Sequence, residues 1–196
     1  NMKLVLELIS HCSTGSPFCT VRINEEIFFD DYLPEGGNLL EFEFAPQENN
    51  LLEIEHSKKT NLDTLVDERG EIIADKAIEL RNIELENINI LTNVLYNKPF
   101  YVNWPDNLLE NFKNNNQAVP EFVKNNLFFG FNGIYKFDFV GDFSKQYYKQ
   151  FWENEEQAHC NLTKKIASDS GELEVFDRFG DATSITQEFD LTIHDL

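Results

Sequence analysis

Hydrophobic and polar residues alternate at every second position over most of this chain, the pattern of β-strands with one buried face. From Met2 to Ile9, Leu4, Leu6 and Leu8 oppose Lys3, Val5 and Glu7. Thr20–Ile23 and Ile27–Phe29 flank Asn24-Glu25-Glu26, a hairpin with an acidic turn. Leu40, Phe42 and Phe44 alternate with Glu41 and Glu43. After Pro46-Gln47-Glu48-Asn49, Leu52, Ile54 and His56 alternate with Glu53 and Glu55. This predicts a second antiparallel hairpin with a glutamate outer face, whose like charges need relief by a cation or a partner.

Further along, Leu65-Val66 and Ile72-Ile73 flank the turn Asp67-Glu68-Arg69-Gly70. From Ala77 to Leu91 the alternation slips by one residue between Leu80 and Ile83, and again between Leu85 and Ile88, which marks bulges or bends. Leu91 to Val102 reads as extended. The most aromatic strand lies in Phe128 to Phe139, with Tyr135, Phe137 and Phe139 on one face and Ile134, Lys136 and Asp138 on the other. Asn132-Gly133 predicts a hairpin at its start.

Two helices interrupt the strands. Pro105 followed by Leu108, Leu109 and Phe112 predicts a short helix ended by Asn114-Asn115-Asn116. Asp142 or Ser144 caps a second helix running to about Ala158, with Phe143, Tyr147, Tyr148, Phe151 and Trp152 as its apolar stripe. Beyond a linker at 161–170, Leu173, Val175, Ile185, Phe189, Leu191 and Ile193 give two more alternating segments. The predicted fold is mainly β: a jelly-roll-type antiparallel β-sandwich over residues 2–143 with one or two short helices, and a C-terminal helix plus β-hairpin extension over 144–196. That extension is expected to pack on the sandwich or on a partner through Tyr148, Phe151, Trp152, Phe189, Leu191 and Ile193, since such apolar area is seldom left in water. Either outcome leaves the protein free to be oligomeric.

Charge narrows the partners. The 196 residues carry 35 acidic and 16 basic side chains, a net charge of -19, which disfavours direct contact with nucleic acid and anionic membranes and suits cations, basic proteins or solubility. No stretch approaches the roughly 18 apolar residues of a membrane span, and no signal-peptide pattern opens the chain, so a soluble protein is expected. The three cysteines, Cys12, Cys19 and Cys160, lack a Cys-x-x-Cys spacing and read as reduced thiols. His11-Cys12 and His159-Cys160 could meet at a zinc ion only from loops, because neighbours on a strand point to opposite faces.

No nucleophile elbow, phosphate loop, dinucleotide fingerprint or zinc-protease motif occurs, so no catalytic residue is assigned and no enzyme is expected. His56, on an apolar face, reads as a core histidine. Asp63, Asp67 and Asp75 are candidate calcium ligands, because hard-cation sites gather carboxylates from loops. Asp30, Asp31, Tyr32, Tyr101 and Trp104 are candidate ligand-binding residues, and Trp104, Tyr101, Tyr96 or Trp152 could supply a flat platform for a sugar ring.

Leu52-Glu53-Ile54-Glu55-His56, Asn61-Leu62-Asp63-Thr64, Val66-Asp67-Glu68-Arg69-Gly70-Glu71-Ile72-Ile73, Asp75-Lys76-Ala77-Ile78 and Asn132-Gly133-Ile134-Tyr135-Lys136-Phe137 together resemble small bacteriophage proteins. These are proteins of large tailed phages that look similar to carbohydrate-binding-module jelly rolls. The resemblance covers residues 2–143 and leaves 144–196 beyond it. It implies a virion-associated structural or accessory protein, a non-catalytic binding or assembly module found in the virion or in the host cytoplasm during assembly. Its implied partners are other virion or host proteins. A calcium-assisted carbohydrate-binding module and an acidic DNA mimic that occupies a host DNA-binding protein are the alternatives.

Overall fold

A computed structural model describes residues 1–142 and Gln157. The sequence-predicted second helix, the linker and the tail strands, with Tyr148, Phe151, Trp152, Phe189, Leu191 and Ile193, lie outside the described residues, as do His159 and Cys160.

The chain runs β1 (Met2–Cys12), β2 (Phe18–Ile23), β3 (Glu26–Tyr32), β4 (Gly36–Phe44) and β5 (Asn49–Ser57). A small hairpin, β6 (Leu65–Val66) and β7 (Ile72–Ala74), precedes β8 (Lys76–Leu85) and β9 (Ile88–Asn89). Then come helix α1 (Thr92–Tyr96), β10 (Phe100–Val102), helix α2 (Asp106–Asn114), β11 (Phe122–Val123), β12 (Phe128–Phe129) and β13 (Gly133–Val140). Two antiparallel sheets hold the long strands. One has the order β12-β8-β1-β4 with β9 beside β8, and the other β11-β10-β13-β5-β2-β3. The hairpins β2–β3, β8–β9 and β10–β11 stay within a sheet, whereas the other connections between these strands cross from sheet to sheet, which is jelly-roll behaviour.

Alternation decides which side of each strand enters the core. Leu4, Leu6 and Leu8 of β1 are fully buried, as are Leu52 and Ile54 of β5 and Tyr135 of β13. Burying each such side chain contributes about 1.5–3 kcal/mol. Aromatics interleave between the sheets: Phe129 of β12 stacks on Phe100 of β10 at 4.7 Å and on Tyr135 at 5.3 Å, and Phe44 meets Phe139 edge-on at 6.0 Å. The predicted aromatic strand is thus central to its sheet, paired with β10 on one side and β5 on the other.

Three expectations change. The glutamate-faced segments do not form a hairpin: β4 pairs with β1 in one sheet and β5 with β2 and β13 in the other. Their glutamates therefore never oppose one another, and each set meets cations, with Lys3 3.3 Å from Glu41, Arg22 2.7 Å from Glu55 and Lys136 3.8 Å from Glu53. Nor is there a hairpin at Asn132-Gly133, because β12 belongs to one sheet and β13 to the other, so Gly130–Asn132 is a crossover. Leu91 to Val102 divides into a helical turn and a strand rather than remaining extended.

Other local signals hold. Asn24 and Glu25 turn β2 into β3 with φ of 51° and 70°, the left-handed pair of a tight hairpin turn. The slip in β8 is a bulge, where Glu7 opposes Asn82 and Leu8 opposes Leu80, leaving Arg81 as the extra residue. The β6–β7 hairpin has both faces in solvent, with Leu65, Val66, Ile72 and Ile73 between 48% and 65% exposed and neighbouring Leu62 at 86%.

Candidate functional site

Sheet register places three of the predicted ligand-binding residues, Tyr101, Asp30 and Tyr32, on one surface, while Asp31 opposes the buried Cys19 on the other side of β3. On the outer face of the six-stranded sheet, a row runs Tyr101, Ile134, Glu55, Thr20, Asp30 across β10, β13, β5, β2 and β3. Tyr32 stands two residues beyond Asp30 on the same face. Asp30 accepts a hydrogen bond from the Thr20 hydroxyl at 2.7 Å, and the Asp31 carboxylate accepts from the Tyr32 amide at 2.7 Å. The exposed Tyr32 ring stands edge-on to Phe18 at 4.9 Å, which fixes its orientation.

Trp104 belongs to the packing rather than to that face. Its ring contacts Phe112 of α2 at 5.3 Å and Phe131 at 5.4 Å, and its indole N–H donates to the Pro120 carbonyl at 2.7 Å. It anchors α2 and the Pro120 loop to the crossover before β13.

Between Tyr101 and the β5 end lies a cleft of about 380 Å³. Ile134, Gly133 and Asn132 line its centre, Tyr101–Asn103 one flank and Glu55–Lys58 the other. Its walls are held by hydrogen bonds from the Asn132 side chain and between backbone groups. The Asn132 amide donates to the Lys59 carbonyl at 2.9 Å, and its side-chain oxygen accepts from the Lys59 N–H at 3.0 Å. The Asn103 N–H donates to the Asn132 carbonyl at 2.8 Å. Gly133 lets the strands close up, since a Cβ there would collide with the Tyr101 carbonyl and stand 2.7 Å from Phe100 Cζ.

The cleft is lined by one charge of each sign, Glu55 and Lys58. Glu55 is paired with Arg22, and Lys58 has no carboxylate partner among the described residues. The Lys58 ammonium sits 3.5 Å from the centre of the Phe18 ring and 5.7 Å from that of Tyr32, and its φ of 62° is one that L side chains rarely adopt. Lys136 similarly lies 4.9 Å from the Tyr101 ring centre. The sequence singles out Tyr101, Tyr32 and Asp30, of which Tyr101 lines the cleft; Ser57, Lys58, Asn103 and Asn132 line it too, and their only sequence signal is their place at strand ends.

The predicted calcium ligands do not come together. Asp63 accepts from the Thr60 N–H and lies 3.1 Å from Lys76 Nζ. Partial burial raises its pKa, and these two partners outweigh that and hold it below the usual range. Asp75 is 2.5 Å from Lys59 Nζ and accepts from the Thr64 hydroxyl at 2.9 Å. Asp67 closes its own turn by accepting from the N–H groups of Arg69 and Glu71. A calcium ion on Asp63 or Asp75 would have to displace a lysine, and among the described residues no three His, Cys, Asp or Glu side chains gather.

The buried titratable groups face the core. His56 is fully buried with its imidazole pKa pushed down to about 4, chiefly by burial, and the Cys19 thiol is pushed up to about 12 by burial. His11 and Cys12 point to opposite sides of β1, His11 toward Glu79 at 3.4 Å and Cys12 toward Ser10 at 3.0 Å.

No protein-family model and no curated protein matches this chain. Among solved structures it is similar to vCBM60, described with two families of calcium-dependent carbohydrate-binding modules. The selenomethionine form has a TM-score of 0.46 at 7% identity, over 70% of this chain and 90% of that one. The complex of vCBM60 with galactobiose has a TM-score of 0.42 at 8% identity, over 69% and 96%. Similarity at this level assigns no ligand to this chain.

Proposed function

We propose that this protein is a non-catalytic binding module that holds a neutral carbohydrate in the cleft beside Tyr101. One juxtaposition carries this reading: the outward Tyr101 ring next to the Asn103 amide and the Ser57 hydroxyl. A ring face takes the C–H face of a sugar, while amides and hydroxyls exchange hydrogen bonds with its OH groups. Glycan-array binding followed by calorimetry tests the proposal, and Tyr101→Ala is expected to abolish binding with an unchanged circular dichroism spectrum. No binding to any glycan, or full binding by the variant, overturns it.

A second reading is an acidic binder of basic proteins, favoured by the doubly exposed β6–β7 hairpin and its Asp67, Glu68 and Glu71. Capture of a basic protein that weakens with salt and fails in Ile72→Asp supports it, and salt-insensitive or unchanged capture counts against it. The resemblance to bacteriophage proteins supports a virion setting for either activity. Mass spectrometry of purified virions tests that setting, and absence of the protein there removes it.

A further inference from the structure

We infer that the ligand is a linear oligosaccharide running across the strands from Tyr101 to Tyr32, rather than a single sugar confined to the cleft. This rests on the carbohydrate reading of the cleft and extends it.

Tyr101 and Tyr32 are outward aromatics at two separated points of one sheet face. Tyr101 stands on β10 and Tyr32 on β3, and the sheet order puts β13, β5 and β2 between them. Four inter-strand steps make roughly 19 Å, longer than one or two sugar rings. Between them the outer face carries Ile134, the Glu55–Arg22 ion pair and the buried Thr20. Lys58, on the β5 flank of the cleft, reaches over Phe18 toward Tyr32, so the cleft wall and the distal platform share a side chain. Lys58 brings donors with no carboxylate partner among the described residues, and the Ser57 hydroxyl lines the cleft beside it.

Both platforms are oriented before any ligand arrives. Tyr32 is held edge-on by Phe18 and by the Asp31 cap on its amide, and Tyr101 packs at 5.5 Å against Phe122 of β11. Preorganised rings lose little freedom on binding, which suits a chain that touches the surface at two separated points. A ligand too short to span them engages Tyr101 alone.

The full-length protein is titrated with neutral linear oligosaccharides of one to six units, from the series that the array identifies. Affinity is expected to climb with length until the chain reaches Tyr32 and then to level off. Tyr32→Ala is expected to weaken the long chains about tenfold and leave the mono- and disaccharide unchanged, whereas Tyr101→Ala weakens all lengths. If nothing binds, the carbohydrate reading itself falls. If the protein binds but affinity is independent of length, or Tyr32→Ala binds long chains as the parent does, the extended site is overturned while the cleft survives.

Discussion

His56 Nδ1 lies 2.9 Å from the carbonyl oxygen of Phe129, a hydrogen bond that joins β5 of one sheet to β12 of the other across the core. Because the partner is a carbonyl, Nδ1 carries the proton and Nε2 is an acceptor. Nε2 is buried with no partner among the described residues. Protonating it would place an unsatisfied charged donor in the core, with the ammonium groups of Lys59 and Lys76 opposing it further.

This makes stability depend on pH in a fixed direction. The His56 pKa falls from 6.5 to about 4 on folding, so between those values the unfolded chain binds the proton that the folded chain refuses. Stability is therefore full above pH 6.5 and lost as pH falls toward 4, by about 3 kcal/mol in order of magnitude. His56→Gln, which can keep a donor on the Phe129 carbonyl, is expected to remove this part of the slope in denaturant titrations across that range. An unchanged slope would show that other groups set it.

Gly133→Ala is expected to destabilise the fold by about 1–3 kcal/mol, because its Cβ would strike the Tyr101 carbonyl and the Phe100 ring. The clash falls between β13 and β10, so Tyr101 moves as well. Urea unfolding together with oligosaccharide titration checks both effects, and a neutral result in both would mean that the two strands separate freely.

Tyr135 is fully buried, and its hydroxyl donates to the Leu95 carbonyl of α1 at 2.8 Å. Burial pushes the phenol pKa well up, so it stays a donor throughout the working pH range. Tyr135→Phe is expected to cost about 1 kcal/mol by denaturant titration and to loosen α1 selectively, which hydrogen exchange at Leu95–Lys98 would report.

The β6–β7 hairpin contributes little to stability despite its composition. Leu62→Ser, Val66→Thr and Ile73→Thr are each expected to shift stability by less than about 0.5 kcal/mol, because the parent side chains are already in water. A loss above 2 kcal/mol in calorimetry would place this hairpin against another part of the protein.

Alternation along the chain was enough to identify β1, β4, β5, β8 and β13 and the side of each that enters the core, since a period of two assigns every residue to a face. The Asn24-Glu25 turn and the β8 bulge were legible because a turn or an extra residue leaves a local signature. Which strands pair was not, because alternation names a face without naming a neighbour. Nothing in Leu40–Phe44 or Leu52–His56 says that one joins Met2–Cys12 and the other joins Gly133–Val140. Core packing of two sheets decided that, and with it the salt bridges that neutralise the glutamates. The same holds for the site. Aromatic side chains at Tyr101 and Tyr32 could be singled out one by one, but tertiary structure set them on one surface, gave Trp104 to the packing of α2, and tied Asp63 and Asp75 to lysines. These are contacts between segments far apart in sequence, and only the folded chain brings them together.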